Sequence, residues 1–432
     1  MDLPAGGSSA DEVRALLAAA ASSDMPWREG RGWSLVFDLP GEHHDLVAEA
    51  LAMFANENAL SYSAFPSAAR FESAVISMVS SVVAPASESF GVFTSGGTES
   101  FLLAAKAYRD RTGAKGDAII VPETAHPAFG KAAQMLGLTL VRVPVGATGA
   151  VEPADIEAAL GFDVLMVALS APNFPFGVVD PITEVAALAR DQGVGVHVDA
   201  ALGGLFLPFL DAAGRHSPDF GLGVPGVTSV SVDLHKYGYG AKGASVLLFD
   251  SAELRHGSYY VDPSWPGGAY AAPGVLGTRP VGPSAAAFTS MTLLGREGYR
   301  ARVAEIMATA EILQDGLVND AGLQLLGKPE MSVFATGGEP SVLQQLMRGL
   351  KSRGWWIDGM SKPPAVHFMV FPRHAAVASK FLGDVRASLA DPVDHAAIKE
   401  VASYGVMVRG DSASETDLMA HLDTRFDLRS LD

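Results

Sequence analysis

Val194-Gly195-Val196-His197-Val198-Asp199-Ala200-Ala201-Leu202-Gly203-Gly204 is the stretch that decides how this chain is read. A short Val-rich run, Val194 to Val198, ends on a carboxylate, and small residues follow. Strands covered by helices on both faces read as continuous apolar runs, so this is a buried parallel strand with a polar group at its C-terminal end. In open α/β sheets ligands gather beyond that edge, which makes Asp199 a candidate site residue. A carboxylate that caps the following loop accounts for the same pattern.

The pattern repeats on both sides. Runs at Gly91–Thr94, Ala118–Val121, Leu140–Val143 and Val164–Leu169 alternate with helix-period segments at Thr98–Arg111, His126–Leu136, Pro153–Leu160 and Ile182–Gln192. Val227–Val232 and Ala244–Phe249 then read as consecutive strands. The expected fold is α/β, with a large, mostly parallel seven-stranded sheet. Helix-period sequence fills Ser284–Leu317. Beyond it, strands Ser332–Ala335 and Ala365–Val370 and helices Val342–Arg353 and Ala375–Leu389 predict a smaller C-terminal α+β domain. The expected division is an N-terminal arm at 1–55 with a short amphipathic helix over Asp11–Ala21, a large domain at 56–322 and a small domain at 323–432. Pro263–Pro283, rich in Gly and Pro, reads as a long functional loop, and Glu42-His43-His44 as solvated loop.

Composition narrows the function. The 432 residues carry 48 acidic against 31 basic side chains, a formal charge of −17, and no cysteine. Disulfides, Cys-ligated metals and a thiol nucleophile are excluded. So acidic a chain lacks the cationic surface that nucleic acid or anionic lipid would require. With 48% hydrophobic residues the chain can bury large cores. Its longest apolar stretches, Val164–Leu169 and Ala15–Ala21, fall far short of the ~20 residues of a membrane-spanning helix. Met1–Asp11 lacks the basic and apolar regions of a signal peptide. The expectation is a cytoplasmic protein that acts on a small molecule.

Two further stretches carry chemistry. In Thr94-Ser95-Gly96-Gly97-Thr98-Glu99-Ser100, glycines between a strand and a helix let the backbone approach a ligand, and the helix start offers free N–H groups to a phosphate. Taken alone, a helix start capped by Thr98 accounts for these residues as well. In Ser231-Val232-Asp233-Leu234-His235-Lys236-Tyr237-Gly238-Tyr239-Gly240-Ala241-Lys242-Gly243, a lysine follows an apolar strand directly. Such a lysine is costly to desolvate unless it pairs or reacts, and it can form a Schiff base. A phosphate cradle, a strand-end carboxylate and a buried lysine together are what a pyridoxal 5′-phosphate site requires: an anchor, an anion for the pyridine nitrogen, and an amine for the aldehyde. A metal at His197 and Asp199 lacks a convincing third ligand.

The chain resembles the fold-type I, aspartate aminotransferase-like enzymes of the group II decarboxylase superfamily, and within it the sphingosine-1-phosphate lyase family. The resemblance rests on the three stretches above and on Ala125-His126-Pro127-Ala128-Phe129, Ser170-Ala171-Pro172-Asn173-Phe174-Pro175-Phe176-Gly177, Gly267-Gly268-Ala269-Tyr270, Gly277-Thr278-Arg279-Pro280 and Lys362-Pro363-Pro364-Ala365-Val366-His367-Phe368. It implies a homodimer with shared active sites. Lys236 would carry the cofactor and Asp199 pair with its pyridinium, while His126 stacks on the ring. Gly96, Gly97, Thr98 and His235 would bind the cofactor, with Gly277 and Thr278 reaching its phosphate from the neighbouring subunit. Lys242, Asn58 and Phe174 would face the substrate, and Tyr404 would line the pocket. Where the family pattern has a tyrosine and a histidine on the substrate phosphate, this chain has Phe37 and Ser61, with Tyr62 adjacent as a substitute donor. The implied reaction is the retro-aldol cleavage of a phosphorylated 3-hydroxy-2-amine to an aldehyde and phosphoethanolamine, with Lys236 as proton carrier and Tyr404 assisting. Decarboxylation of an amino acid, cleavage of a non-phosphorylated β-hydroxy-amine, and cofactor binding without catalysis are the alternatives.

Overall fold

The computed structural model describes residues 3–111, 116–161, 163–391, 400–403, 406–409 and 414–426. The chain forms two compact units: Phe37–Glu311 with Leu326–Phe334, and Met1–Val36 with Ile312–Leu325 and Ala335–Asp432. The smaller unit begins with α1 (Ala10–Ala21), which carries a capping box between Ser9 and Glu12 and buries none of its residues. The larger unit opens with α2 (Glu42–Met53) and α3 (Pro66–Val83). Glu42, His43 and His44 therefore start a helix and are not loop. His43 Nε2 meets Ser290 Oγ at 3.0 Å and His44 Nδ1 meets Asp38 Oδ1 at 2.6 Å, and both rings are partly buried.

The rest of the larger unit alternates as its sequence predicts. It runs β1 (Phe90–Thr94), α4 (Gly97–Asp110), β2 (Ala118–Pro122), α5 (Ala128–Leu136), β3 (Thr139–Val143), α6 (Pro153–Ala159), β4 (Val164–Ser170), α7 (Ile182–Asp191) and β5 (Gly195–Asp199). Then come β6 (Val227–Asp233), β7 (Ser245–Phe249), α8 (Ala252–Ser258) and a short ribbon of β8 (Tyr260–Asp262) and β9 (Tyr270–Ala272). The seven-stranded sheet has the order β1-β7-β6-β5-β4-β2-β3. β7 pairs antiparallel with both β1 and β6, while the other pairings are parallel. Strands β2, β4, β5 and β7 are buried along their whole length, as their unbroken apolar runs require. The long helix α9 (Gly282–Asp315) breaks its helical geometry at Gly295, where φ is +54°. No helix among the described residues is long and apolar enough to cross a membrane.

A four-stranded sheet, most of it in the smaller unit, has the order β10-β11-β13-β12, made of Gln324–Leu326, Val333–Gly337, Pro364–Met369 and Asp358–Ser361. Helices α10 (Pro340–Ser352) and α11 (Ala378–Ala390) pack there. Trp33 lies at its core, fully buried, stacked on His374 at 4.0 Å and against Phe381 at 4.5 Å. The chain before the first sheet strand thus builds part of the C-terminal core.

Candidate active site

Strands β1, β2, β4, β5 and β6 end on one edge of the sheet, at Thr94, Pro122, Ser170, Asp199 and Asp233, and β7 starts there at Ser245. Ser170 registers with Asp199, Asp199 with Ser231, and Asp233 with Ser245. The turn from β6 to β7 holds Lys236, whose Nζ stands 3.0 Å from Asp233 Oδ2. His235 Nε2 lies 3.6 Å from the same oxygen. Burial pushes the Asp233 carboxyl up, yet the charges of Lys236 and His235 hold it below its ordinary value, so it stays an anion. Burial lowers His235 more than the charge of Asp233 raises it.

Asp199 is buried, and burial raises its carboxyl to about 6 against the opposing charge of Lys236. Its Oδ1 accepts the Ala201 N–H at 2.9 Å, which leaves the other oxygen to meet a cation. The loop-cap role that the sequence allows is thus present, with one carboxylate oxygen outside it. Two positions earlier on the same strand face, His197 is held between Ser229 Oγ at 2.8 Å and Ser231 Oγ at 3.2 Å, under Phe101 and Phe129. Burial drops its pKa to about 3, so it is a neutral core residue. Among the described residues no group of three or more metal-ligating side chains comes together.

His126 follows β2. Its Nδ1 accepts the Ala128 N–H at 3.1 Å at the start of α5, which leaves the proton of the neutral ring on Nε2. Burial, and then Lys236, lower it to about 4. A flat, uncharged ring at this edge is suited to stack on an aromatic cofactor.

The glycine turn closes the site from β1. Helix α4 begins at Gly97 with Gly96 as its cap, so Thr98 is not the cap but the second helical residue, with its side chain exposed. The buried hydroxyls of Thr94 and Ser100, 2.7 Å apart, fix the turn. A Cβ on Gly97 would stand 3.4 Å from both Asp233 carboxylate oxygens, and one on Gly96 would stand 3.2 Å from His235 Cε1. The turn therefore lies directly on the Asp233-His235-Lys236 segment. The opening N–H groups of α4 lack intrahelical acceptors. A phosphate cradle, a lysine, a buried carboxylate and a neutral ring in one place fit pyridoxal phosphate.

The remaining candidates fall in two places. Phe37, buried, stands edge-on to Tyr237 at 5.0 Å, and Lys242 Nζ lies 5.3 Å from the centre of the Phe37 ring. Crowded surroundings and Lys236 lower the Lys242 ammonium to about 8. Asn58 Nδ2 is 3.5 Å from Thr278 Oγ1, and the Tyr270 hydroxyl overhangs Gly277. Ser61 stays within its own turn, where its hydroxyl accepts the Ala64 N–H at 3.4 Å. Tyr62 is no substitute phosphate donor. Its hydroxyl donates to Glu72 Oε2 at 2.7 Å and accepts from Arg279 Nη2 at 2.8 Å, and burial with the Glu72 charge raises it to about 12. Phe174 is half-buried in the turn after β4, held by Asn173, whose Oδ1 accepts the Phe176 N–H at 3.0 Å. Tyr404 lies outside the described residues.

Sequence reading missed three carboxylates that end or begin elements. Asp233 holds the lysine. Asp180, fully buried and raised to about 7 by burial, accepts the Ser170 N–H at 2.8 Å beside Asp199. Glu99 bridges two segments of the site. Each lies within a stretch already singled out or one turn from it, and an acid at an element end was the available signal.

The comparisons with known proteins follow this geometry. The family described as aminotransferase class-V matches residues 66–205. A sphingosine-1-phosphate lyase of Dictyostelium discoideum is 38% identical over 383 residues, spanning 88% of this chain and 72% of its own. Sphingosine-1-phosphate lyase 1 of Rattus norvegicus is 35% identical over 430 residues, 98% of this chain and 76% of its own. A solved sphingosine-1-phosphate lyase of Burkholderia pseudomallei superposes with a TM-score of 0.89 at 31% identity, covering 99% of this chain and 97% of that one. A glutamate decarboxylase of Lactobacillus brevis, 17% identical with a TM-score of 0.79 over 92% of this chain and 96% of that one, shares the fold.

Proposed function

The chain belongs to the sphingosine-1-phosphate lyase family of fold-type I enzymes, and from that premise we propose that it cleaves a phosphorylated long-chain 3-hydroxy-2-amine into a fatty aldehyde and phosphoethanolamine. It is a pyridoxal-phosphate-dependent aldehyde-lyase. The observation that carries this reading is the clustering at one sheet edge of Lys236, paired with Asp233 at 3.0 Å, with Asp199 and His126, whose titration both feel the Lys236 charge.

When bound, pyridoxal phosphate supplies an electron sink for the electrons of a bond at the substrate's α-carbon. Asp199 would keep the ring nitrogen protonated, and the buried setting would strengthen that charge pair. His126 would face the ring. Gly96, Gly97 and Thr98 would offer backbone N–H groups to the phosphate, joined by Gly277 and Thr278. Lys236 is the amine that would hold the cofactor, and as a free amine its Nζ would carry protons, with Asp233 stabilising the cationic form. Lys242 meets the substrate phosphate. Phe37 gives that phosphate no hydrogen bond, but its ring steadies the Lys242 cation from below.

The finer reading is a cytoplasmic homodimer with shared active sites. Exposed apolar side chains along the loop and its flanks, Tyr260, Val261, Trp265, Val275 and Leu276, are surface that a second copy would cover. The absence of cysteine suits a reducing compartment.

The test is a visible-absorbance titration of the cofactor-loaded protein with phosphoethanolamine, followed by an aldehyde assay on sphingosine-1-phosphate. A saturable shift of the cofactor band and aldehyde release are expected. A band that phosphoethanolamine leaves unmoved, together with carbon dioxide released from an amino acid, would replace this reading with decarboxylation.

A further inference from the structure

Glu99 stands in the first turn of α4, two residues past Gly97. Its Oε2 accepts the Ser95 N–H at 2.6 Å, and its Oε1 accepts the Val275 N–H at 2.8 Å across 176 residues of sequence. A Cβ on Gly274 would come within 2.9 Å of the same Oε1, so the loop backbone approaches the carboxylate as closely as a glycine allows. One carboxylate thus ties the glycine turn to the Pro263–Pro283 loop. Ser95 precedes Gly96 and Gly97, and Val275 precedes Gly277 and Thr278.

A carboxylate is an odd choice beside a site for a phosphate dianion, because like charges repel. Its two oxygens explain it, since each accepts one of two separate backbone donors, whereas an amide side chain would set a donor NH2 against one of the two N–H groups. We propose that Glu99 is a positioning residue, a clip that sets where the loop stands when Gly277 and Thr278 reach a cofactor phosphate. Loop docking and phosphate binding then become one coupled event, and by linkage the cofactor must tighten the loop by the factor that the docked loop tightens the cofactor. The coupling to cofactor rests on the proposed pyridoxal-phosphate site, whereas the clip itself does not.

The experiment compares wild type with Glu99→Gln, Glu99→Ala and Val275→Pro. Hydrogen exchange at the Val275 amide is read with and without pyridoxal phosphate, and the cofactor dissociation constant is read from absorbance. In wild type the amide is protected without cofactor and exchanges more slowly with it. Glu99→Ala should leave the loop undocked in most molecules, so that its exchange speeds at least ~10-fold toward the unprotected rate and cofactor weakens as the docked fraction falls. The absorbance maximum of bound cofactor should stay in place, since Lys236 is untouched. Glu99→Gln, which keeps one acceptor oxygen, should fall between. Val275→Pro, which removes only the donor, should weaken cofactor as Glu99→Ala does, and the double variant should be no worse than either single one. Unchanged Val275 exchange in Glu99→Ala would overturn the proposal, as would exchange at the fully unprotected rate with an unchanged dissociation constant. A wild type that takes up no cofactor but still shows the exchange difference would sink the cofactor reading and leave the clip standing.

Discussion

Lys242 is the residue on which substrate choice turns. Its ammonium is held down to about 8, so it is cationic below that pH and neutral above it, and the charge available to an anionic substrate is lost as pH rises. The kcat/KM for a phosphorylated amine should therefore fall on an alkaline limb near pH 8. Lys242→Arg, which stays charged, should move that limb upward. Lys242→Ala should remove a charge-assisted contact of ~1.5–3 kcal/mol, about 10- to 150-fold in kcat/KM, while cofactor affinity holds. A pH profile that Lys242→Arg does not shift would place the phosphate elsewhere. The lysine itself was legible only through the family resemblance, which places it six residues past Lys236. Its seat on Phe37 was not, since no local pattern joins a ring before the first sheet strand to a turn after the sixth.

At the scale of elements, a buried ion pair fastens the far end of the long loop. Arg279 Nη2 meets Glu72 Oε1 of α3 at 3.0 Å, with side-chain exposures of 12% and 9%. Breaking such a pair strands a buried charge, so Glu72→Ala should cost ~3–5 kcal/mol in urea denaturation. Glu72→Leu combined with Arg279→Met should recover most of it, because neither charge is then left alone. A double variant as unstable as the single one would mean the pair matters for packing and not for charge. Helix α3 went unread although Val75, Val79 and Val83, all buried, recur every four residues, the period that would have found it. Helix α2 offered no such signal, since it buries none of its residues. The strands were easier, for a nearly unbroken apolar run of five to seven residues bounded by turns has few other uses.

At the scale of the molecule, the prediction concerns assembly. Val261 and Leu276 are 64% and 45% exposed, beside the loop that carries Gly277 and Thr278. If a second copy covers them, wild type sediments at twice the 45.0 kDa chain mass, and Val261→Glu with Leu276→Glu sediments at the single mass with weakened cofactor. A wild type that sediments as a single chain at micromolar concentration would refute the homodimer. The sheet order needed the structure too. Alternating runs announce parallel pairing, but only the short β6-to-β7 connection shows that one strand runs against the rest.

That reversed strand divides the labour of the molecule. Because β6 and β7 are adjacent and antiparallel, the reactive amine hangs from a connection, Leu234–Ala244, anchored at both ends in the sheet. The long loop is pinned instead by the side chains of Glu99, Glu72 and Asn58. The amine is the anvil and the loop is the tool brought to it. Recasting the enzyme for a new substrate is then a matter of rewriting the loop and its pins, with that connection left as it stands.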